Sequence, residues 1–421
     1  MFPENLLEDS FIDIFYFKLS IGLFLSILFL VLLFSNKEVL IFRSRGVTLF
    51  SSFFFLRLLP FFIIYIVFNF DARSDVEMFY ESALGAKKLG LVYRDFESAY
   101  SPLFAYITAL PLFLWNSPKA IILFMIIVEC VIVWFTINYY KSKYALKLAI
   151  LYLLLPGSFV FSILGGQEDI WMWLFILFGI YFSNLEEKPF YLGLALGFGL
   201  LITKALLVLY IPAILVFSKK PLHIFYGLLL IGIPSLGFLY LHSEFSFLSP
   251  IQQANDPRTP NIWSIIHPLS DGLIPIGPKI LNWIGLLSIQ SLGIYFAVKL
   301  KNRIPISEFL LYNFLIISIW LMIIQQSSLA NYAYVYLLPL IFFLKLEKSK
   351  KPMIMLLIFN ILIIVQPALW WGLKMPVFHS LLEINLPLEK LEYSLEVMIL
   401  ALLFWLFLLV INRLKENISK N

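Results

Sequence analysis

The sequence predicts an all-α, polytopic transmembrane bundle of about 13 spans, a single integral membrane unit covering residues 1–421. Three observations carry that expectation. Hydrophobic residues make up 61% of the chain and charged residues only 14%, with a mean hydropathy of +0.91, whereas a soluble domain is about a quarter charged. Apolar runs near the roughly 20 residues needed to cross a hydrocarbon core recur along its length. The long polar stretches between those runs all fall on one face.

In order, the expected spans are 14–35, 47–68, 120–139, 145–163, 169–183, 190–203, 205–217, 222–241, 280–299, 307–325, 331–346, 352–368 and 393–412. The N-terminal MFPENLLEDSFIDIF lacks the basic region of a signal peptide and is expected to stay in the mature chain. Cys130, the single cysteine, excludes an intrachain disulfide and leaves the redox compartment open. Short loops carry most of the basic residues: Lys37, Arg43 and Arg45, then Lys141, Lys143 and Lys147, and so on to Arg413, Lys415 and Lys420. Short basic loops face the cytoplasm. The N-terminus and loops 69–118, 164–168, 242–279, 326–330 and 369–392 are then extracytoplasmic, and the basic C-terminus is inside. The segment Tyr100 to Trp115 is too short to span and is expected as an interfacial or re-entrant helix of the first external loop. The net charge of +5 follows from these loop residues and gives no reason to expect nucleic acid. No internal repeat or linker marks a separate soluble domain.

Charges inside spans are costly and face a bundle interior or an aqueous cavity. Lys18, Arg57, Glu129 and Lys204 are such residues. Lys18 reads as snorkelling, whereas Arg57 with Glu129 reads equally as a structural pair or a functional one.

The first external loop is the most acidic interruption, with Asp71, Asp75, Glu77 and Glu81 close together. Ser74 and Glu77 have the spacing of a capping box that opens an amphipathic helix. Val76, Phe79, Tyr80, Ala83 and the stem of Lys87 form its apolar stripe, and Gly90 its stop. Such a helix is expected to lie on the outer membrane surface. Asp75 in its first turn reads either as a favourable dipole partner or as a carboxylate able to take a proton from a hydroxyl. Gly165-Gly166-Gln167-Glu168-Asp169 is a tight turn that brings a second carboxylate to the same side. Thr203-Lys204 breaks an apolar run, leaving Lys204 either snorkelling or facing a phosphate. In the 242–279 loop, Arg258 is a cation able to meet a phosphate, and Trp263 an aromatic for a sugar or an interface. Tyr332, Tyr334, Tyr336, Trp370 and Trp371 read as packing or aromatic-belt residues. His223, His242, His267 and His379 lack metal-ligand spacing, so neither a metal nor a cofactor is expected.

Taken in order, these pieces resemble the GT-C membrane glycosyltransferases, which use polyprenyl-phosphate sugars. The likeness is to the catalytic subunit of GPI mannosyltransferase I and its prokaryotic relatives. It runs from about residue 45 to 345 through Asp75, Tyr100-Ser101-Pro102-Leu103, Gly166 to Asp169, Lys204 with Pro212, and Asn331 to Leu340. Where that pattern has Asp-x-Asp, this chain has Arg73-Ser74-Asp75 with a further acid at Asp71, a departure that bears on mannose and on the subfamily. The resemblance implies a GT-C bundle with amphipathic helices in its first extracytoplasmic loop, in the cell membrane or that of the endoplasmic reticulum. It implies inverting, metal-independent transfer of a hexose, mannose favoured, from a polyprenyl- or dolichyl-phosphate donor to a glycolipid or other lipid-linked acceptor. Asp75 is then the base, Asp71, Arg73, Tyr100, Gln167, Asp169, Lys204 and Arg258 bind substrate or donor, and an accessory subunit is compatible. The alternative is a transporter or lipid flippase, which predicts inverted repeats and comparable loops on both faces.

Overall fold

The computed structural model describes residues 8–35, 44–140, 142–186, 188–248, 256–345 and 349–420. The basic residues Lys37, Arg43, Lys141 and Lys348 lie outside them. Among the described residues the chain is helical throughout, with no strand and one isolated bridge between Val92 and Phe96.

Eight helices are long and apolar enough to cross a membrane. They are α1 (Glu8–Phe34), α2 (Arg45–Val67), α5 (Pro118–Tyr140), α11 (Pro221–Ser243), α13 (Lys279–Leu300), α14 (Ile306–Ile324), α16 (Lys351–Gly372) and α17 (Pro387–Lys420). A bent pair, α6 (Ala145–Leu153) and α7 (Pro156–Leu164), turns by 65° and makes a ninth if counted as one span. The multi-pass character expected from hydropathy is therefore present. The count of about 13 is not reached by these helices.

Four of the expected spans form helices shorter than a hydrocarbon core. Residues 169–183 fall in α8 (Trp171–Glu186), 190–203 in α9 (Pro189–Ile202), 205–217 in α10 (Ala205–Phe217), which opens as a 3-10 turn, and 331–346 in α15 (Leu337–Leu344). Every residue of α15 is buried. Its apolarity comes from packing inside the protein, and a hydropathy scan does not distinguish that from lipid. The apolar side chains that do face outward, such as Phe24, Ile27 and Val31 on α1 and Leu230, Ile233 and Leu236 on α11, suit acyl chains.

Small residues set the closest helix contact. A Cβ on Gly193 of α9 would lie 2.1 Å from the Ile224 carbonyl oxygen, and one on Gly227 of α11 2.3 Å from that of Phe190. The two backbones touch as in small-residue crossings of membrane helices. Deeper in the bundle, Arg57 of α2 and Glu129 of α5 form a fully buried ion pair at 2.8 Å.

The first polar loop holds two short helices, α3 (Val76–Lys87) and α4 (Phe104–Phe113). At about 1.5 Å per residue, α4 is too short to span. The expected apolar stripe of α3 is real but faces protein: Val76, Phe79, Ala83 and Ala86 are buried, and the Phe79 ring packs edge-on against Phe104 of α4 at 5.0 Å. α3 is thus covered by the loop's own second helix rather than by the membrane surface. It ends in a Schellman arrangement, Gly90 N–H donating to the Gly85 carbonyl and Leu89 N–H to that of Ala86. The left-handed position falls to Leu89, at φ 61°, one residue before the expected Gly90.

Candidate active site

Helix α3 starts later than the capping pattern predicts. Ser74 sits at φ 62°, and Asp75 is the N-cap residue but makes no side-chain cap. The carboxylate turns instead into the bundle. Its Oδ2 accepts from the Tyr100 hydroxyl at 3.2 Å and from Gln167 Nε2 at 3.2 Å. The Ser74 hydroxyl also accepts from Gln167 Nε2, at 3.3 Å. Tertiary donors have displaced the local cap.

Gln167 reaches this point because of the turn after α7. Gly166 takes φ 55°, and a Cβ there would lie 2.5 Å from Val76 Cγ2. The turn is therefore seated against the first residue of α3, one position from Asp75. Gly166→Ala meets both a left-handed backbone and a filled contact, and is expected to lower stability by about 2–4 kcal/mol. Gly237→Ala, a helical glycine with open space around it, is the control and should be neutral or slightly stabilising. Thermal unfolding of the purified variants checks both.

Beyond Gln167 the turn delivers two carboxylates to one ammonium. Glu168 and Asp169 are buried. Lys204, in extended backbone between α9 and α10, donates to Asp169 Oδ1 at 2.6 Å and lies 3.0 Å from Glu168 Oε1. That second approach is electrostatic and outside hydrogen-bond geometry, since neither Glu168 oxygen has a donor among the described residues. The Lys204 side chain is 13% exposed. Its Nζ sits 5.6 Å from the Tyr100 ring centroid and 5.2 Å from that of Tyr332, so aromatic faces complete the ammonium's surroundings. Asn331 Nδ2 donates to Gln167 Oε1 at 3.3 Å, and Leu103 N–H ties the start of α4 to the Leu201 carbonyl at the end of α9.

Burial pushes the Glu168 carboxyl up to about 7, against the pull of Lys204 and with help from Asp169 and Asp75. Burial also raises Asp169, which Lys204 opposes. For Lys204 burial works downward, but Asp169 and Glu168 outweigh it and hold the ammonium well above its usual range. The Tyr100 hydroxyl is raised by burial and by Glu168, Asp75 and Asp169. Two carboxylates, Glu168 and Asp169, thus share one lysine. Such groups titrate together.

Of the residues expected from sequence, Asp75, Tyr100, Gln167, Asp169 and Lys204 meet in this one cluster. Asp71 and Arg73 are exposed on the preceding turn and make no hydrogen bond or ion pair with it. Arg258 is likewise not brought in: its backbone N–H donates to the Gln326 carbonyl at 2.9 Å. Trp263 is held by its own indole N–H on the Ile324 carbonyl. Glu168, Ser74, Asn331 and Tyr332 complete the cluster without having been singled out as site residues. Glu168 was legible only as a neighbour of Asp169. Among the described residues no three His, Cys, Asp or Glu side chains are arranged to hold a metal ion.

No family pattern, no curated protein and no solved structure matches the chain.

Proposed function

We propose that this protein is a GT-C-type glycosyltransferase that moves a hexose, mannose favoured, from a polyprenyl- or dolichyl-phosphate donor to a glycolipid or lipid-linked acceptor. In this reading the site faces the extracytoplasmic side of the cell membrane, with the endoplasmic reticulum membrane as the alternative, and inverts the anomeric centre. The observation that carries it is the meeting of Asp75, Tyr100, Gln167, Asp169 and Lys204, drawn from three separate polar interruptions of an apolar chain.

Asp75 takes the proton of the acceptor hydroxyl, whose oxygen attacks the anomeric carbon opposite the lipid phosphate. The bond from that carbon to the phosphate oxygen breaks, and the departing anion is met by Lys204. Tyr100 and Gln167 hold Asp75 in place through the two hydrogen bonds it accepts. The polyprenyl tail reaches such a site laterally through the bilayer. Purified protein in lipid, given labelled polyprenyl-phosphate mannose and a lipid extract as acceptor, is expected to form a labelled lipid product with EDTA present. A folded protein that transfers neither mannose nor glucose overturns the reading.

The charge balance adds a pH dependence. Glu168 has its carboxyl raised to about 7, so below that pH it is neutral, and above it the surroundings of Lys204 gain a negative charge. An anionic donor is then repelled. Donor affinity is expected to be full below pH 7 and to fall by up to about tenfold per unit above it. Glu168→Gln should flatten that slope, which donor KM measured from pH 6 to 9 will show. An unchanged slope in the variant removes Glu168 as its source.

A further inference from the structure

A second buried acidic group lies away from Asp75, where α17 meets α16 and the loop before α12 (Ile262–Leu269). Glu392 and Glu396, one turn apart on α17, are 0% and 2% exposed, and their carboxyls lie close to each other and to Thr259. Gln366 of α16 donates to Glu392 Oε1 at 3.0 Å and to Thr259 Oγ1 at 2.8 Å. Ser264 donates to Glu396 Oε2 at 2.7 Å. Every donor here is neutral, and among the described residues no Lys or Arg pairs with either carboxyl. Two buried carboxylates facing only neutral partners are strongly unfavourable unless a cation or a proton joins them.

Two further observations point to a ligand. Glu392 Oε2 and Gln366 Oε1 are buried acceptors without a donor, on side chains that are both 0% exposed. Beside Glu396, Thr259 and Ser264 there is also a cavity of about 10 Å³, room for the centre of one water-sized particle. A water there would supply donors but no charge. The donor set is oxygen only, because the nearby His267 has both ring nitrogens engaged, Nδ1 with the Ile274 carbonyl at 2.6 Å and Nε2 with His379 at 2.8 Å. Carboxylate, amide and hydroxyl oxygens suit hard alkali or alkaline-earth ions rather than zinc or copper.

We propose that Glu392, Glu396, Gln366, Thr259 and Ser264 form a binding site for one small, hard inorganic cation. The site is distinct from the Asp75 cluster. The segment Gln325 to Asn331 runs between the two, Gln326 accepting from Asn261 through its carbonyl and Asn331 donating to Gln167.

The test titrates purified full-length protein in lipid with Na⁺, Ca²⁺ or Mg²⁺, against N-methyl-glucamine at constant ionic strength, and follows the thermal unfolding midpoint. One cation should raise the midpoint saturably, since a ligand that binds only the folded state stabilises it. Radiolabelled binding of that cation should reach one ion per chain. Asp75→Asn should keep both responses, and Glu392→Gln with Glu396→Gln should lose both. The wild-type titration decides even if that double variant fails to fold. No shift with any cation, a shift the folded double variant keeps, or stabilisation by acid alone overturns the proposal, the last because the pair then holds protons instead.

Discussion

Asp75→Asn protein is expected to fold, to bind donor with nearly unchanged KM, and to transfer sugar about 10²–10⁴-fold more slowly than wild type. The asparagine oxygen can still accept from Tyr100 and Gln167, as Oδ2 of Asp75 does at 3.2 Å in each case. The turn and α3 therefore stay seated, and basicity is the property lost. A fall in kcat without a rise in donor KM is the signature of a group that acts in the transition state. Transfer of label under EDTA, measured for both proteins at equal folded concentration, gives the ratio. Full activity in the variant removes Asp75 as base. Asp71 is exposed outside the cluster, so the proton acceptor would then be Asp169, whose Oδ2 has no donor, or Glu168, neither of whose oxygens has one.

The parts of the site that sequence alone reveals are those whose chemistry conflicts with a bilayer. A carboxylate or lysine among apolar runs needs a reason to be there, which is why Asp75, Asp169 and Lys204 stand out without any alignment. Local patterns served less well where tertiary contacts compete with them. Ser74 and Glu77 have capping-box spacing, yet Gln167 comes from a distant turn to take both Ser74 and Asp75, and the helix begins uncapped. Glu168 carries no signal of its own in the sequence beyond its place beside Asp169 in a tight turn. In the irregular turn after Gly166 both carboxylates reach one ammonium. Hydropathy does not tell α15, apolar through burial within the protein, from a span. Arg258 depends on how a long loop closes onto Gln326, which no local pattern encodes.

The largest stability effect is expected at the Arg57–Glu129 pair, where hydrogen bonding is complete. Arg57 Nε and Nη2 reach the two Glu129 oxygens at 2.8 and 3.1 Å. Its remaining N–H groups go to Ser158 Oγ and to the Leu56 and Leu153 carbonyls. Glu129 accepts in addition from Tyr152 at 2.8 Å and Ser162 at 2.6 Å. The Leu153 carbonyl needs an outside donor because α6 breaks before Pro156, which has no N–H, and the Gly157 N–H is taken by Asn360 at 3.1 Å. The pair thus supports the 65° bend that leads into the Gly166 turn. Glu129→Leu leaves a buried guanidinium unpaired and should cost about 3–5 kcal/mol, and Arg57→Met should cost a similar amount through the stranded carboxylate. The double variant should lose far less than the sum, because removing both charges also removes their desolvation cost. Unfolding midpoints of the four proteins close that cycle. Additive losses would mean that the two charges are stabilised separately by their neutral partners. A double variant that regains stability but not transfer would instead assign the pair to holding the bend in the geometry the Gly166 turn requires.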